Sequence, residues 1–396
     1  MLRRLQPRDR AFLALLLGRG SLGHAASPQR HFLEHLPGGA AALSQAPAAA
    51  GGEPASLTAH FLRHSCGLTE AEAARAAERF RLRSTKMAHA SLALLRGLGL
   101  TPASIARVVA AVPAVLSYST VAPKFDFYRR ELGLSDPEIG RFVVASPNRT
   151  IASGLRTRLR RNHQFLRDLL GSDQNVLTAV KQSMELIYGN LDVMLVPKLK
   201  ALRDHGVTQD TLVKLVTTHP RGLVHRSNRF DEALVAMKDF GISPSSGIFP
   251  YAFGIFAKLY DSKWQRRMNN YLSLGWTEEQ VKRAFIRHPY CMSVSDDKVR
   301  QLMRFFSEKL GWTPEYVAGA PTVLSFSYEK RILPRCAVLD ILKSIGIIKQ
   351  IKLTHLTMTE IKFKEKYVTR YQQHIPQVVE AYETRRGSAT KYKVAG

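Results

Sequence analysis

The stretch Leu274-Gly275-Trp276-Thr277-Glu278-Glu279-Gln280 is followed at residues 287–295 by Arg-His-Pro-Tyr-Cys-Met-Ser-Val-Ser. Most of this phrase then returns as Leu310-Gly311-Trp312-Thr313-Pro314-Glu315-Tyr316, with Ala-Pro-Thr-Val-Leu-Ser-Phe-Ser at 320–327. A phrase that recurs after one supersecondary unit marks a repeat protein. Working outward, glycines that close one helical pattern and precede another stand at Gly67, Gly99, Gly133, Gly171, Gly206, Gly241, Gly275, Gly311 and Gly346, spaced by 32, 34, 38, 35, 35, 34, 36 and 35 residues. The spacing predicts nine units.

Each unit reads the same way. A first helix ends at the glycine, the residue type that takes the left-handed backbone past a helix end without strain. Two residues later comes a capping side chain: Thr69, Thr101, Ser135, Thr208, Ser243, Thr277 or Thr313. Ser135 with Glu138 and Thr277 with Gln280 have capping-box spacing. A second helix then sets apolar residues on one face, as in Ile105, Val108 and Val109, in Ile139, Phe142 and Val143, or in Leu212, Leu215 and Val216. Pro113, Pro147, Pro220 and Pro289, fourteen residues after their glycines, stop that helix, and Pro321 arrives four residues early. Ser119, Ser153, Ser295 and Ser327, six residues after a proline, are placed to cap the next first helix. The first and fourth units lack the proline, and in the sixth Gly247, Pro250 and Gly254 break the helical face. Phe363, Tyr367 and Val368 are expected to cover the open end of the stack. No sustained alternation argues for strands, so the expected class is all-α.

Composition narrows the partner. The chain has 58 Lys plus Arg against 32 Asp plus Glu, a net charge of +26, which points to a polyanion. Residues 1–50 hold six arginines, two acids and no lysine, and with the Gly/Ala/Pro/Ser linker that ends near Pro54 they read as an organellar transit segment. A secretory signal is the competing reading of Arg3 to Leu17. The remainder keeps 52 basic and 30 acidic residues, or +22, so the charge belongs to the mature chain. Residues 384–396 read as a basic, unstructured tail after a repeat domain at 57–383. No run of about 18 apolar residues suggests a membrane span. Cys66, Cys291 and Cys336 are too few and too scattered for a disulfide framework or a metal site, and are expected in the core.

The motif Phe285-x-Arg287-His288-Pro289-x-Cys291-Met292-x-x-Ser295, then Leu324-x-Phe326-Ser327-x-Glu329-Lys330-Arg331-Ile332-x-Pro334-Arg335-Cys336, resembles the plant mitochondrial transcription termination factor (mTERF) family. Phe61-Leu62-x-x-Ser65-Cys66-Gly67-Leu68 resembles that family's start in plants. The resemblance implies an all-α superhelical solenoid of about nine repeats, curved with a basic concave face that tracks nucleic acid in mitochondria or chloroplasts.

His219-Pro220 and His288-Pro289 fall where other units have Phe80, Val112, Ser146 and Met184, so both histidines read as framework. No phosphate-cradling glycine loop, metal cluster or nucleophile motif is present, and no enzyme activity, cofactor or small-molecule substrate is expected. The cations say more. Arg156, Lys298 and Lys330 each stand three residues after a capping-position serine, where helices usually carry acids. An anion bound at the helix start would reconcile them. Arg158, Arg160 and Arg161, Arg226 and Arg229, and Arg331 and Arg335 join them as candidate phosphate contacts. Trp276 and Trp312 follow their glycines where Leu, Val or Ile stands elsewhere, so they are expected in the core; stacking on bases is the weaker reading for them and for Trp264. The expected function is a monomeric, mitochondrial (alternatively chloroplast) protein that binds double-stranded DNA in transcriptional control. RNA binding in intron splicing or maturation, and a helical scaffold for protein partners, are the alternatives.

Overall fold

The computed structural model describes residues 53–383 apart from 225–228 and 260. The transit segment, the tail, Arg226 and Ser227 lie outside the described residues. Among those residues every regular element is helical, and the chain divides into two compact units whose described parts are 53–197 and 198–383.

All nine glycines of the repeat adopt φ between +65° and +88°. The helix Arg161–Leu170 shows the physics: Gly171 at φ +76° donates its N–H to the Arg167 carbonyl and closes the last turn. Thr69, Thr101, Thr208, Thr277 and Thr313 each cap a second helix by accepting an N–H three residues on. Glu138 accepts from the N–H and Oγ–H of Ser135, and Gln280 from the N–H of Thr277. In the fourth unit the cap moves one residue earlier, to Ser172.

The apolar faces follow. Ile105, Val108 and Val109 are buried, as are Leu212, Leu215 and Val216, whereas of the third set Phe142 is only half-buried beside the buried Ile139 and Val143. Full burial of such side chains stabilises by roughly 1.5–3 kcal/mol each. Trp264, Trp276 and Trp312 are core, and so are the three cysteines. Burial pushes the Cys66 and Cys291 thiols up to about 12. Phe363, Tyr367 and Val368 are buried as well.

The proline does more than stop the second helix. It opens a third, short helical segment: Pro113–Leu116, Pro147–Ala152, Pro220–Val224, Pro289–Ser293 and Pro321–Ser325. The residue before a proline is forced out of the helical region, and Val112, Ser146, His219, His288 and Ala320 duly have φ between −134° and −154°. Each unit with a proline thus has two helices and a short third one.

Two expectations about caps are corrected. Ser119 lies inside the helix Tyr118–Asp126, whose N-cap is Ser117. Ser153 donates its hydroxyl to the Arg149 carbonyl, and Gly154 leads the next element instead. Ser295 and Ser327 do stand at N-caps, but only Ser327 accepts a backbone N–H, that of Lys330.

The sixth unit is irregular for a visible reason. Its second helix starts late, at Phe249–Lys258, and Pro250 falls in the first turn, where it costs no hydrogen bond. A Cβ on Gly254 would lie 2.3 Å from the His219 ring, so the neighbouring unit demands glycine there.

Candidate nucleic-acid interface

A helical segment leaves its last carbonyls unpartnered and partly negative. Across successive units, cations from a first helix reach these carbonyls at the end of the following unit's short helical segment, which in the fourth and ninth units, without the proline, is Glu185–Tyr188 and Leu353–Thr357. Lys124 donates to Ile151 O. Arg158 Nη1 donates to Gly189 O at 3.2 Å, Lys198 Nζ to Leu223 O at 2.7 Å and Lys298 Nζ to Ser325 O at 2.9 Å. The Arg331 guanidinium donates to Leu356 O and Thr357 O at 3.2 Å and to Met358 O at 2.7 Å. Tyr128 and Asn162 do the same one turn after Lys124 and Arg158, through Thr150 O and through Ile187 O and Gly189 O. Tyr271 joins them through Cys291 O. A charge-assisted bond of this kind contributes about 1.5–3 kcal/mol.

These struts divide the ten candidate cations. Arg156 is exposed on the π-helical turn Leu155–Arg160, and its side chain has no hydrogen-bond or ion-pair partner among the described residues. Lys330 is likewise exposed on the turn Tyr328–Ile332. Lys298, which shares their register, is half-buried and held by Ser325 O, and burial pulls its pKa below the ordinary lysine value. Arg158 is a strut. Arg160 pairs with Glu131 at 3.0–3.1 Å, an ion pair that holds the Glu131 carboxyl below its usual range. Arg161 pairs with Asp192 at 2.8 Å, with both side chains more than half exposed. Arg229 opens the helix Arg229–Asp239 and is half-buried.

Beside the struts Arg158 and Lys298, two further candidates have to be reassigned. Arg335 is 0% exposed. Its Nη1 donates to Leu356 O at 3.0 Å and Met358 O at 2.7 Å, its Nη2 to Glu360 Oε2 at 3.0 Å, and its guanidinium lies 4.6 Å from the Phe363 ring centre. A fully buried guanidinium with these acceptors is framework and has no face left for a phosphate. Arg331 shares the Leu356 and Met358 carbonyls and stacks 3.6 Å over Phe326, so its fork is engaged too.

The anion cup drawn from the sequence also differs between its two open examples. At Ser327 the hydroxyl already takes the Lys330 N–H. At Arg156 the leading residue is Gly154, which brings no side-chain oxygen to the turn.

The His-Pro pairs are framework of a specific kind. His288 Nε2 lies 2.7 Å from Ser325 Oγ in the next unit, and His219 Nε2 lies 3.3 Å from Tyr290 Oη. Burial holds both histidines below the ordinary pKa. Sequence reasoning missed the strut residues Lys124 and Lys198. Their signal was available in principle, since each donor precedes its acceptor by 25–31 residues, a little less than one repeat.

Comparison with known proteins agrees with this frame. The chloroplastic transcription termination factor MTERF8 of Arabidopsis thaliana is 21% identical over 232 residues, 58% of this chain and 46% of that protein, so the chain spans under half of that relative's length. A sequence model of the mTERF family matches residues 60–364, a span that takes in all nine left-handed glycines and every strut. The chain therefore belongs to the mTERF family.

Proposed function

We propose that this protein is an organellar regulator of gene expression that acts by binding nucleic acid and carries out no catalysis. One observation supports this above others. After the strut cations are set aside, exposed Lys and Arg such as Arg156 and Lys330 remain without carboxylate partners among the described residues. Surplus cations on a helical scaffold suit a chain of phosphates, which supply affinity, while contacts to bases would supply any choice of sequence.

In its finer form the ligand is double-stranded DNA, the protein acts as a monomer, and the process is transcription, in the mitochondrion. The relative's name places that protein in the chloroplast and in transcription termination, which supports the process and keeps the chloroplast as the alternative compartment. RNA bound for splicing or maturation is the other form of the same reading. Titration of labelled duplex DNA at increasing salt, with RNA of the same sequence as competitor, tests it. Log affinity should fall with log salt by about 0.7–0.9 per neutralised phosphate, and RNA should compete poorly. Salt-independent binding would refute the phosphate-based reading, and efficient competition by RNA would replace duplex DNA as the ligand.

A further inference from the structure

From Arg79 to Phe125 the chain contains no Asp or Glu, yet it carries Arg79, Arg81, Arg83, Lys86, Arg96, Arg107 and Lys124. Of these only Lys124 is buried. The nearest acids on either side are Glu78, which is exposed, and Asp126, which pairs with Arg129 at 3.3 Å. Among the described residues no carboxylate forms an ion pair with Arg81, Arg83, Lys86 or Arg107.

The segment is anchored. Arg79 Nη2 donates to Ala110 O at 3.3 Å and fastens the end of the helix Glu70–Arg79 to the end of Pro102–Ala111. The Leu82 N–H donates to Thr58 Oγ1 at 3.1 Å, and Ser84 caps the helix Thr85–Gly97. Phe80 and Ser84 are extended (φ −146° and −157°), and between them Arg81 and Arg83 are exposed while Leu82 is half-buried.

A second pattern of cations runs through both units. Eight residues after the repeat glycine stand Arg75, Arg107, Arg141, Lys214 and Arg283, all exposed, Arg141 lying 3.9 Å from the Glu138 carboxylate and Arg283 pairing with Glu315 at 2.5 Å. They belong to five of the six units with a capping Ser or Thr two residues after the glycine and a helix starting there. Lys and Arg are only 58 of 396 residues overall, so this register is not explained by composition. In the N-terminal unit the helices Glu70–Arg79, Pro102–Ala111 and Asp136–Ala145 pack in succession, and packed helix axes lie about 8–10 Å apart. Arg75, Arg107 and Arg141 thus form a row across the second helices, which the link Arg81–Lys86 adjoins.

We infer that this row and link form a nucleic-acid-binding surface on the N-terminal unit, made of residues other than the first-helix candidate Arg156, and that its ligand is a phosphodiester backbone. The inference rests on the nucleic-acid reading above. Guanidinium groups dominate the surface, and they match phosphate oxygens bidentately. A membrane-surface device needs an apolar face to bury in the lipid, and exposed large apolar side chains in residues 57–111 are limited to Leu57 and Met87.

The test is the variant Arg81→Gln, Arg83→Gln, Lys86→Gln, Arg107→Gln in the full chain. Its affinity for short labelled duplex DNA and single-stranded RNA would be measured across a salt series, and for phosphatidylserine-containing vesicles at one salt. None of the four side chains is a strut, and an unchanged thermal melt confirms folding. The expected result is a salt slope shallower by about 3 and at least about a tenfold loss of affinity at low salt. A wild-type chain that binds nucleic acid with a slope the variant leaves untouched overturns this surface alone. Loss of vesicle binding with nucleic-acid binding retained overturns it in favour of lipid. A wild-type chain that binds neither DNA nor RNA overturns the parent reading as well.

Discussion

The arginines of Leu324–Cys336, Arg331 and Arg335, and the cations of Arg79–Arg107 both come from charge-rich stretches, yet the fold uses them in opposite ways. In the first, Arg331 and Arg335 lie beneath the next unit's short segment, whose terminal carbonyls need donors, and they are absorbed as framework. In the second, Arg79 alone meets a carbonyl of the next repeat, Ala110 O at the end of its second helix, and Arg81, Arg83, Lys86 and Arg107 stay in solvent. The role of a cation in this protein is set by whether an unpartnered carbonyl of the next repeat lies within its reach. Density of charge in the sequence does not decide it.

The comparison breaks most visibly at Arg335. Arg335→Leu removes the buried fork from two carbonyls that keep only Arg331 as donor and from Glu360, which keeps Tyr382, and the expected loss of stability in a denaturant titration, from several charge-assisted bonds lost together, is about 3 kcal/mol or more. A loss below about 1 kcal/mol would show that the buried fork is not holding the C-terminal units together.

Gly254→Ala comes next. Its new methyl group meets the His219 ring, and overpacking of this kind costs about 1–3 kcal/mol. Adding His219→Ala should recover part of that loss; no recovery would place the strain elsewhere.

A matched pair sharpens the contrast further. Lys298→Gln removes a strut and should destabilise by about 1.5–3 kcal/mol. Lys330→Gln, in the same register but open, should change stability by no more than about 0.5 kcal/mol. Equal effects on melting would erase the distinction between them.

The smallest effect is that of pH. His219, His288 and His355 all have pKa values lowered by burial, so the unfolded chain takes up protons first on acidification. Their contribution is complete above the ordinary histidine value of about 6.5 and is lost as pH falls from there through the depressed folded values. Denaturant midpoints should therefore decline below about pH 6.5, and His288→Gln should weaken that decline. A decline identical in this variant would remove His288 from the explanation.

Much of the framework was legible because it obeys local rules. A glycine that closes a helical pattern has one compatible reading past the helix end, and each of the nine takes it, seven of them two residues before a Thr or Ser. The short third segment was missed because proline was read only as a terminator, although its fixed φ suits a helix start equally well. The caps at Ser119 and Ser153 failed because the spacing from the proline shifts with the length of that segment. The candidate site was less legible. Arg156 and Lys330 were found by register, but Lys298 carries the same register and Arg331 and Arg335 follow on the same helix as Lys330, and the acceptors of these three lie 20–27 residues downstream, where no helix-start rule looks. The acid-free run from Arg79 to Phe125 was open to inspection and is visible only when absences are read along with charges.

The most direct test of the division between strut and open cations is the salt dependence of nucleic-acid affinity for Lys298→Gln and Lys330→Gln, measured side by side well below either melting temperature. Lys330→Gln should make the slope of log affinity against log salt shallower by about 0.7–0.9, and Lys298→Gln should leave it at the wild-type value. A folded Lys298→Gln protein whose slope falls as far as that of Lys330→Gln would contradict the division.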